Sequence, residues 1–171
     1  MTSAALRVLN QVPAMIAYWD KNQKCILANA AYRDWFGKDP AEMVGISIEE
    51  LLGPLYQANL PYIHGALSGT PQVFERQIRL PDGQTRESIA TYLPDIVGGS
   101  VMGFAVHVAD VTSLKRREQR LQDRERQLSE AVSDTIQILE KTKRSFRSKE
   151  LGALRARLEK LNESATQDRG S

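Results

Sequence analysis

The amino-acid sequence predicts an α+β protein. It reads as a five-stranded antiparallel sheet with short helices on one face, followed by a long C-terminal helix. Three observations predict this. The first is a change of composition at Ser113: the first 113 of 171 residues hold 10 of the 11 aromatics, all 7 prolines and 9 of the 11 glycines. Aromatics and turn-formers mark a compact domain of short elements. The second is the order of patterns before that point: two strand-like runs, a series of short helical ones, then three strands. Sequential strands are mostly neighbours, so this order favours one antiparallel sheet with the helices on one face. The third is a proline-free, charge-dense remainder in which Leu114, Leu121 and Leu128 recur every seven residues.

Each element has a local reason. Residues 3–10 form a cap helix, with Ser3 as N-cap, Leu6 and Leu9 on one face, and Pro13 beyond its end. MIAYWD (15–20) and KCILAN (24–29) are two strands of a hairpin. Asn29 is placed to cap the next helix, AAYRDWFG (30–37), which Gly37 closes. Asp39-Pro40 opens a short helix ending at Gly45, because proline suits the first helical position. SIEELLG is one turn capped by Ser47, and a longer helix runs from about Leu55 to Ser68. Strands 72–80 and 85–93 flank the turn Pro81-Asp82-Gly83. Pro94 is expected to end the second of them, and the last strand lies within 101–112.

The net charge is +2, from 23 basic and 21 acidic residues. That near-neutrality is a sum of opposites: the first 113 residues carry 8 basic and 11 acidic residues, the last 58 carry 15 and 10. Apolar residues make up 42%, enough for a core. The one cysteine, Cys25, excludes an intrachain disulfide and a Cys-rich zinc site. No apolar run approaches the ~18–20 residues of a membrane span, and no signal peptide is evident, so a cytoplasmic location is expected.

The local motifs resemble those of a PAS domain. They are the Asp20 hairpin, Asn29-Ala30-Ala31-Tyr32 with Trp35-Phe36-Gly37, Met43-Val44-Gly45, Leu80-Pro81-Asp82-Gly83, and the closing Asp110-Val111-Thr112. The resemblance covers roughly residues 11–113. Together with the composition change and the leucine spacings it gives the domain order 1–10 cap helix, 11–113 PAS domain, 114–146 coiled-coil signalling helix, and 147–171 short amphipathic helix with a frayed tail (162–171). It also implies a pocket between sheet and helices. By resemblance Ala17 and Trp19 point into it. Alternation adds Phe74, Arg76 and Ile78, then Ser88, Ala90 and Tyr92, then Phe104, Val106 and Val108, with Ala105 and His107 outward. The family's final Asp-Ile-Thr motif corresponds to Asp110 and Thr112, which makes them the signal-transfer junction.

Neither haem nor flavin is expected. The photoactive flavin adduct needs a cysteine on the middle helix, whereas Cys25 lies on a strand. His64 lies on the long helix, but the family's haem-ligand position falls nearer Asn59 or Leu60. Arg76 is the unusual inward residue: it calls for a small carboxylate ligand or an internal pair with Glu42, Glu49 or Glu50. A small organic ligand is therefore possible, and so is a cavity plugged by its own side chains.

The heptad continues through Thr135 and Thr142, with companion positions Glu118, Glu125, Val132, Leu139 and Phe146. As one helix, residues 114–146 would extend ~50 Å. A homodimer is expected, through this seam and through Leu6 and Leu9. Leu151, Leu154, Leu158 and Leu161 begin a new phase, with Ser148 as a possible cap, and that helix either folds back on the first or docks on another protein. The basic cluster 141–147 lacks a recognisable binding fold, so nucleic acid is not expected. No catalytic motif, metal site or phospho-accepting histidine on the helix after the domain is evident, so no enzyme activity is expected. The expectation is a dimeric, bacterial-type PAS sensory or regulatory module, signalling through the coiled coil to an effector acting in trans. The alternative is a ligand-free dimerisation adaptor.

Overall fold

The structure is a computed structural model and describes residues 3–142 and 149–167. The order is α1 (Ser3–Leu9), β1 (Met15–Asp20), β2 (Cys25–Ala28), α2 (Tyr32–Phe36), α3 (Pro40–Met43), α4 (Ile48–Leu52), a 3-10 turn (Gly53–Leu55), α5 (Tyr56–Leu67), β3 (Gln72–Arg79), β4 (Thr85–Val97), β5 (Ser100–Asp110), α6 (Thr112–Thr142) and α7 (Lys149–Gln167). The sheet has five antiparallel strands in the order β2-β1-β5-β4-β3. The α+β class expected from the sequence is therefore observed. The chain divides into two compact units, Met1–Lys115 and Arg116–Ser171.

In the first unit, strand alternation puts Met15, Ala17 and Trp19 of β1 on the same face as Phe104, Val106 and Val108 of β5. Met43, Ile48, Leu51, Leu52, Ile63 and Ala66 from the helices complete the core. Turn chemistry sets the strand ends. Asp20 Oδ1 accepts from the amides of Asn22 and Lys24, both at 2.8 Å, and holds the β1–β2 turn. Gly98 and Gly99 close the β4–β5 hairpin with φ of 58° and 81°, a two-residue turn that needs glycine's freedom. Gly103 has another reason: a Cβ there would lie 2.2 Å from the Trp19 carbonyl oxygen.

Two local expectations are corrected. Pro94 does not end β4, which continues to Val97. β3 pairs with β4 only as far as Tyr92, so from Leu93 onward β4 is bonded on one side alone. A sheet edge tolerates proline because no ladder donor is needed there. Asn29 does not cap α2, whose N-cap is Ala31 without a side-chain bond. Instead its buried side chain accepts from the Ile16 amide (3.0 Å) and donates to the carbonyls of Leu9 (2.9 Å) and Ala14 (2.8 Å). Asn29 thus ties the end of α1 to β1. The Asp39-Pro40 start and the Ser47 cap are as expected: the Glu42 carboxylate accepts from the Asp39 amide, and Ser47 Oγ from the Glu50 amide.

In the second unit, α7 lies antiparallel to α6. Ser129 Oγ donates to Asn162 Oδ1 (3.2 Å), while Arg155 pairs with Glu140 at 3.6 Å and with Glu159 at 2.9 Å. Of the two arrangements expected for the second helix, folding back on the first is observed. It is longer than expected and remains helical through Gln167, where fraying was expected from Asn162. Phe146, Ser148 and residues 143–147 of the basic cluster lie outside the described residues. No helix among the described residues is long and apolar enough to cross a membrane.

Replacing Asn29 with alanine removes three hydrogen bonds from a buried position and strands the Ile16 amide. The variant should lose about 2–3 kcal/mol of stability in urea unfolding, and exchange should accelerate at the Ile16 amide.

Candidate functional site

The site is built on the inner face of the sheet. The eleven residues expected there share that face: Ala17, Trp19, Phe74, Ile78, Ser88, Ala90, Tyr92, Phe104, Val106 and Val108 are buried, and Arg76 is half-buried. Register brings them together across four strands, with Trp19 opposite Phe104, Ala17 opposite Val106, Ala90 opposite Val108 and Arg76 opposite Ser88. Ala105 and His107 are exposed.

A cluster of aromatic rings lines part of this interior. Tyr62 of α5 stacks on Phe74 at 3.7 Å between ring centroids. Phe74 meets Tyr92 edge-on at 5.1 Å, and Tyr92 meets Phe104 at 5.2 Å. Within it sits a polar group of residues drawn from five elements. Arg76 Nη1 donates to Asn59 Oδ1 (2.5 Å) and lies 3.3 Å from Tyr92 Oη. Asn59 Nδ2 donates in turn to the Leu55 carbonyl (2.6 Å), and the Arg76 guanidinium also lies over the Phe74 ring. Trp19 hydrogen-bonds the Tyr32 hydroxyl. Burial pushes the pKa of Tyr32 and of Tyr92 upward, and nearby Arg76 opposes the rise in both. Both phenols are therefore neutral at physiological pH.

The internal pair considered for Arg76 is not made. Glu42, Glu49 and Glu50 are exposed, because each lies on the outer side of a short helix whose inner side is Met43, Ile48 or Leu51. Asn59, one of the two positions the resemblance set beside a haem ligand, is instead the guanidinium's acceptor. His64 is exposed. Sequence reasoning missed Tyr32 and Tyr62 as site residues. The signal for Tyr32 was available, since it stands in the Asn29-Ala30-Ala31-Tyr32 motif and three residues before the buried Trp35. Cys25 is buried, its Sγ 3.4 Å from the Leu27 carbonyl, and burial pushes its pKa up to about 11. Among the described residues no cluster of three or more His, Cys, Asp or Glu could hold a metal ion.

The junction at the end of β5 is a second constellation. Asp110 Oδ1 accepts from the Thr112 amide (2.9 Å) at the start of α6. Thr112 Oγ1 accepts from the Glu87 amide (2.9 Å), and the Val111 amide donates to the Glu87 carbonyl (2.9 Å). Arg86 reaches Asp110 Oδ2 at 3.5 Å and lies over the buried Trp35 ring at 5.0 Å. Lys115 pairs with Glu75 and Glu87. These ion pairs are partly exposed and contribute at most about 1 kcal/mol each. The backbone bonds through Thr112 and Asp110 dominate. A chain of bonds connects the two constellations: Ser88 Oγ donates to the Arg76 carbonyl (2.9 Å), and Glu87, the next residue, bonds Thr112.

Of the residues expected at a dimer seam, Leu114, Leu121 and Leu128 are about 60% exposed, and Val132 and Leu139 are half-buried. Leu9 is half-buried. Leu6 lines a surface groove of about 620 Å³ with Leu27, Pro40 and Val44.

With the geometry in place, the comparisons agree on the fold. The PAS fold family model matches residues 9–116, well over half of the chain, and the chain belongs to that family. No curated protein matches the sequence. Among solved structures, a Vibrio cholerae VqmA–ligand–DNA complex is similar at a TM-score of 0.58 and 20% identity, covering 66% of this chain and 52% of that one. A PAS domain from Colwellia psychrerythraea gives 0.54 and 16%, covering 64% and 96%. An RNA-binding light-oxygen-voltage receptor gives 0.57 and 20%, covering 72% and 36%. The chain thus spans about half the length of the VqmA chain it matches. The expectation against a nucleic-acid partner gains no support here, since two of these three proteins bind nucleic acid.

Two outcomes follow for the site. Replacing Thr112 with valine should cost about 1–2 kcal/mol and speed hydrogen exchange at the Glu87 amide, read by mass spectrometry or NMR. The raised Cys25 pKa makes stability fall as pH rises: the unfolded thiol ionises near its ordinary 9.0, the folded one only near about 11. Unfolding free energy should therefore decline across that window, and Cys25→Ser should flatten the decline. At pH 8 the native thiol should resist alkylation until the protein is unfolded.

Proposed function

We propose that this protein is a non-catalytic PAS sensory module that dimerises through α6 and passes a ligand- or partner-dependent signal along it to an effector acting in trans. The observation that carries the reading is the junction. α6 begins two residues after β5 ends, and its first turn is bonded to Glu87 and to the Asp110 side chain. Any shift of β4 against β5 therefore acts on the orientation of the helix start.

The dimer part rests on sequence and exposure together. Leu114, Leu121 and Leu128 occupy one heptad position and are exposed along α6. With leucine at d, Glu118 and Glu125 fall at a, and Arg117 and Arg124 at g. In a parallel, in-register pair each a-position Glu lies beside the partner helix's g-position Arg. Polar a positions weaken such a seam and set its register, which suits a helix pair that must change packing. Neither haem nor flavin enters this reading. His64 is exposed on α5, and Cys25 lies on a strand, β2, rather than on a helix.

The adaptor reading has its own supporting observation: Trp19, Tyr92 and Phe104 are fully buried and fill the inner face of the sheet. A module of that kind would dimerise without responding to small molecules.

Sedimentation velocity of the full chain tests the dimer. Leu121→Glu should weaken self-association by more than about tenfold, since it adds a third acidic layer to the seam. Glu118→Leu should tighten it. Both variants should leave the urea unfolding of the PAS domain unchanged. Equal self-association in all three proteins would place the dimer contact elsewhere.

A further inference from the structure

We infer that the Nε edge of Arg76 is the anchor of a binding site for a small monocarboxylate whose hydrocarbon part packs on the surrounding aromatic rings. This deepens the sensory reading and rests on it only for the step from binding to output.

A guanidinium carries a permanent charge and five N–H donors in a planar fork, and when withdrawn from water it is ordinarily matched by a carboxylate. Arg76 has no such partner. None of the ion pairs among the described residues includes it. Its protein partners, Asn59 and Tyr92, are neutral, and both bond the same nitrogen, Nη1. Nε is buried and has no acceptor at all. A buried donor without an acceptor is uncommon and costly, and it points to a group the site is built to receive.

Position and charge narrow the ligand class. The occupied side of the fork is Nη1; the opposite edge, Nε with Nη2, is the pair of parallel donors that a carboxylate meets in bidentate fashion. The nearby hydroxyls of Tyr32 and Tyr92 are protonated and can donate, but they cannot supply negative charge. The uncompensated charge is one positive unit, which one carboxylate neutralises. A dianion would leave a net negative charge in the same interior. The rings of Phe74 and Tyr92 beside the guanidinium, with Tyr62 stacked on Phe74, suit an apolar or aromatic remainder rather than a second polar group.

The site also has a mechanical consequence. Asn59 is bonded at one end to Arg76 and at the other to the Leu55 carbonyl at the start of α5. A carboxylate that draws the guanidinium toward its Nε edge competes with Asn59 for it. On the opposite side, the Arg76 carbonyl is held by Ser88, one residue from the bond between Glu87 and Thr112.

The test uses the full chain with benzoate and propionate, and with benzamide and propionamide as uncharged counterparts. The acids should raise the thermal midpoint saturably and the amides should not. Arg76→Gln should weaken calorimetric binding of benzoate by about 10- to 100-fold, the range for a charged hydrogen-bond pair. If that variant does not fold, wild-type protein decides: its Arg76 Nε–H resonance should move on titration with benzoate. An equal response to acid and amide, a response to inorganic phosphate in place of either acid, or an unmoved Nε–H signal at saturation would overturn the proposal. Self-association measured in the same samples separates the two readings. Binding without any change in association or helix packing would contradict the sensory output and leave the site in place.

Discussion

The fold depends on one strand. β5 is paired on both sides, with β1 and with β4, so it sits in the middle of the order β2-β1-β5-β4-β3. Its alternation sends Phe104, Val106 and Val108 into the core, each contributing roughly 1.5–3 kcal/mol by burial. A register slip by one residue would expose all three and turn Ala105 and His107 inward. Two close constraints hold that register. Gly103 passes where the Trp19 carbonyl leaves no room for a side chain, and the Gly98-Gly99 turn fixes β5 against β4. The same strand ends at Asp110, so the element that defines the interior also delivers the chain to α6.

The interior is not uniformly apolar, and its electrostatics are unbalanced. Apolar side chains make up most of it, yet Arg76, Asn59, Tyr32, Tyr92 and Trp19 place charge and polar atoms among them. Asn59 has both ends engaged, and Tyr32 and Tyr92 are held neutral by burial. Only the guanidinium lacks a counter-charge. Such an imbalance costs stability when no anion is present. The carboxylate site proposed above would supply the missing counter-charge.

Much of the fold was legible because the sequence signals were local. Alternation in VFERQIRL and FAVHV has period two, the turns carry Gly or Asp where a turn needs them, and the leucines of α6 are seven apart. The inner-face residues followed from that alternation once one strand was oriented. The failures involve tertiary partners. Nothing near Pro94 in sequence reveals that β3 stops pairing at Tyr92 and leaves an edge. Asn29 looked like a cap because Asn commonly is one; its partners, Leu9, Ala14 and Ile16, are supplied by α1 and β1 packing beside it. Arg76 was legible as inward-facing, but its neutral partner was not, since Asn59 lies 17 residues earlier on a helix whose rotation the sequence leaves open.

The account joins an interior site, a bonded junction and a helix seam. Coupling from Arg76 through Ser88 and Glu87 to Thr112 is read as a change in the helix pair driven from the interior. The most direct measurement is pulsed electron–electron resonance on the full chain spin-labelled at Gln122→Cys, with the buried Cys25 left unlabelled. The account predicts one narrow distance between protomers, about two to three helix diameters, that shifts or broadens when benzoate is added. A labelled protein that yields no inter-protomer distance, or a distance unmoved by saturating benzoate, would contradict it.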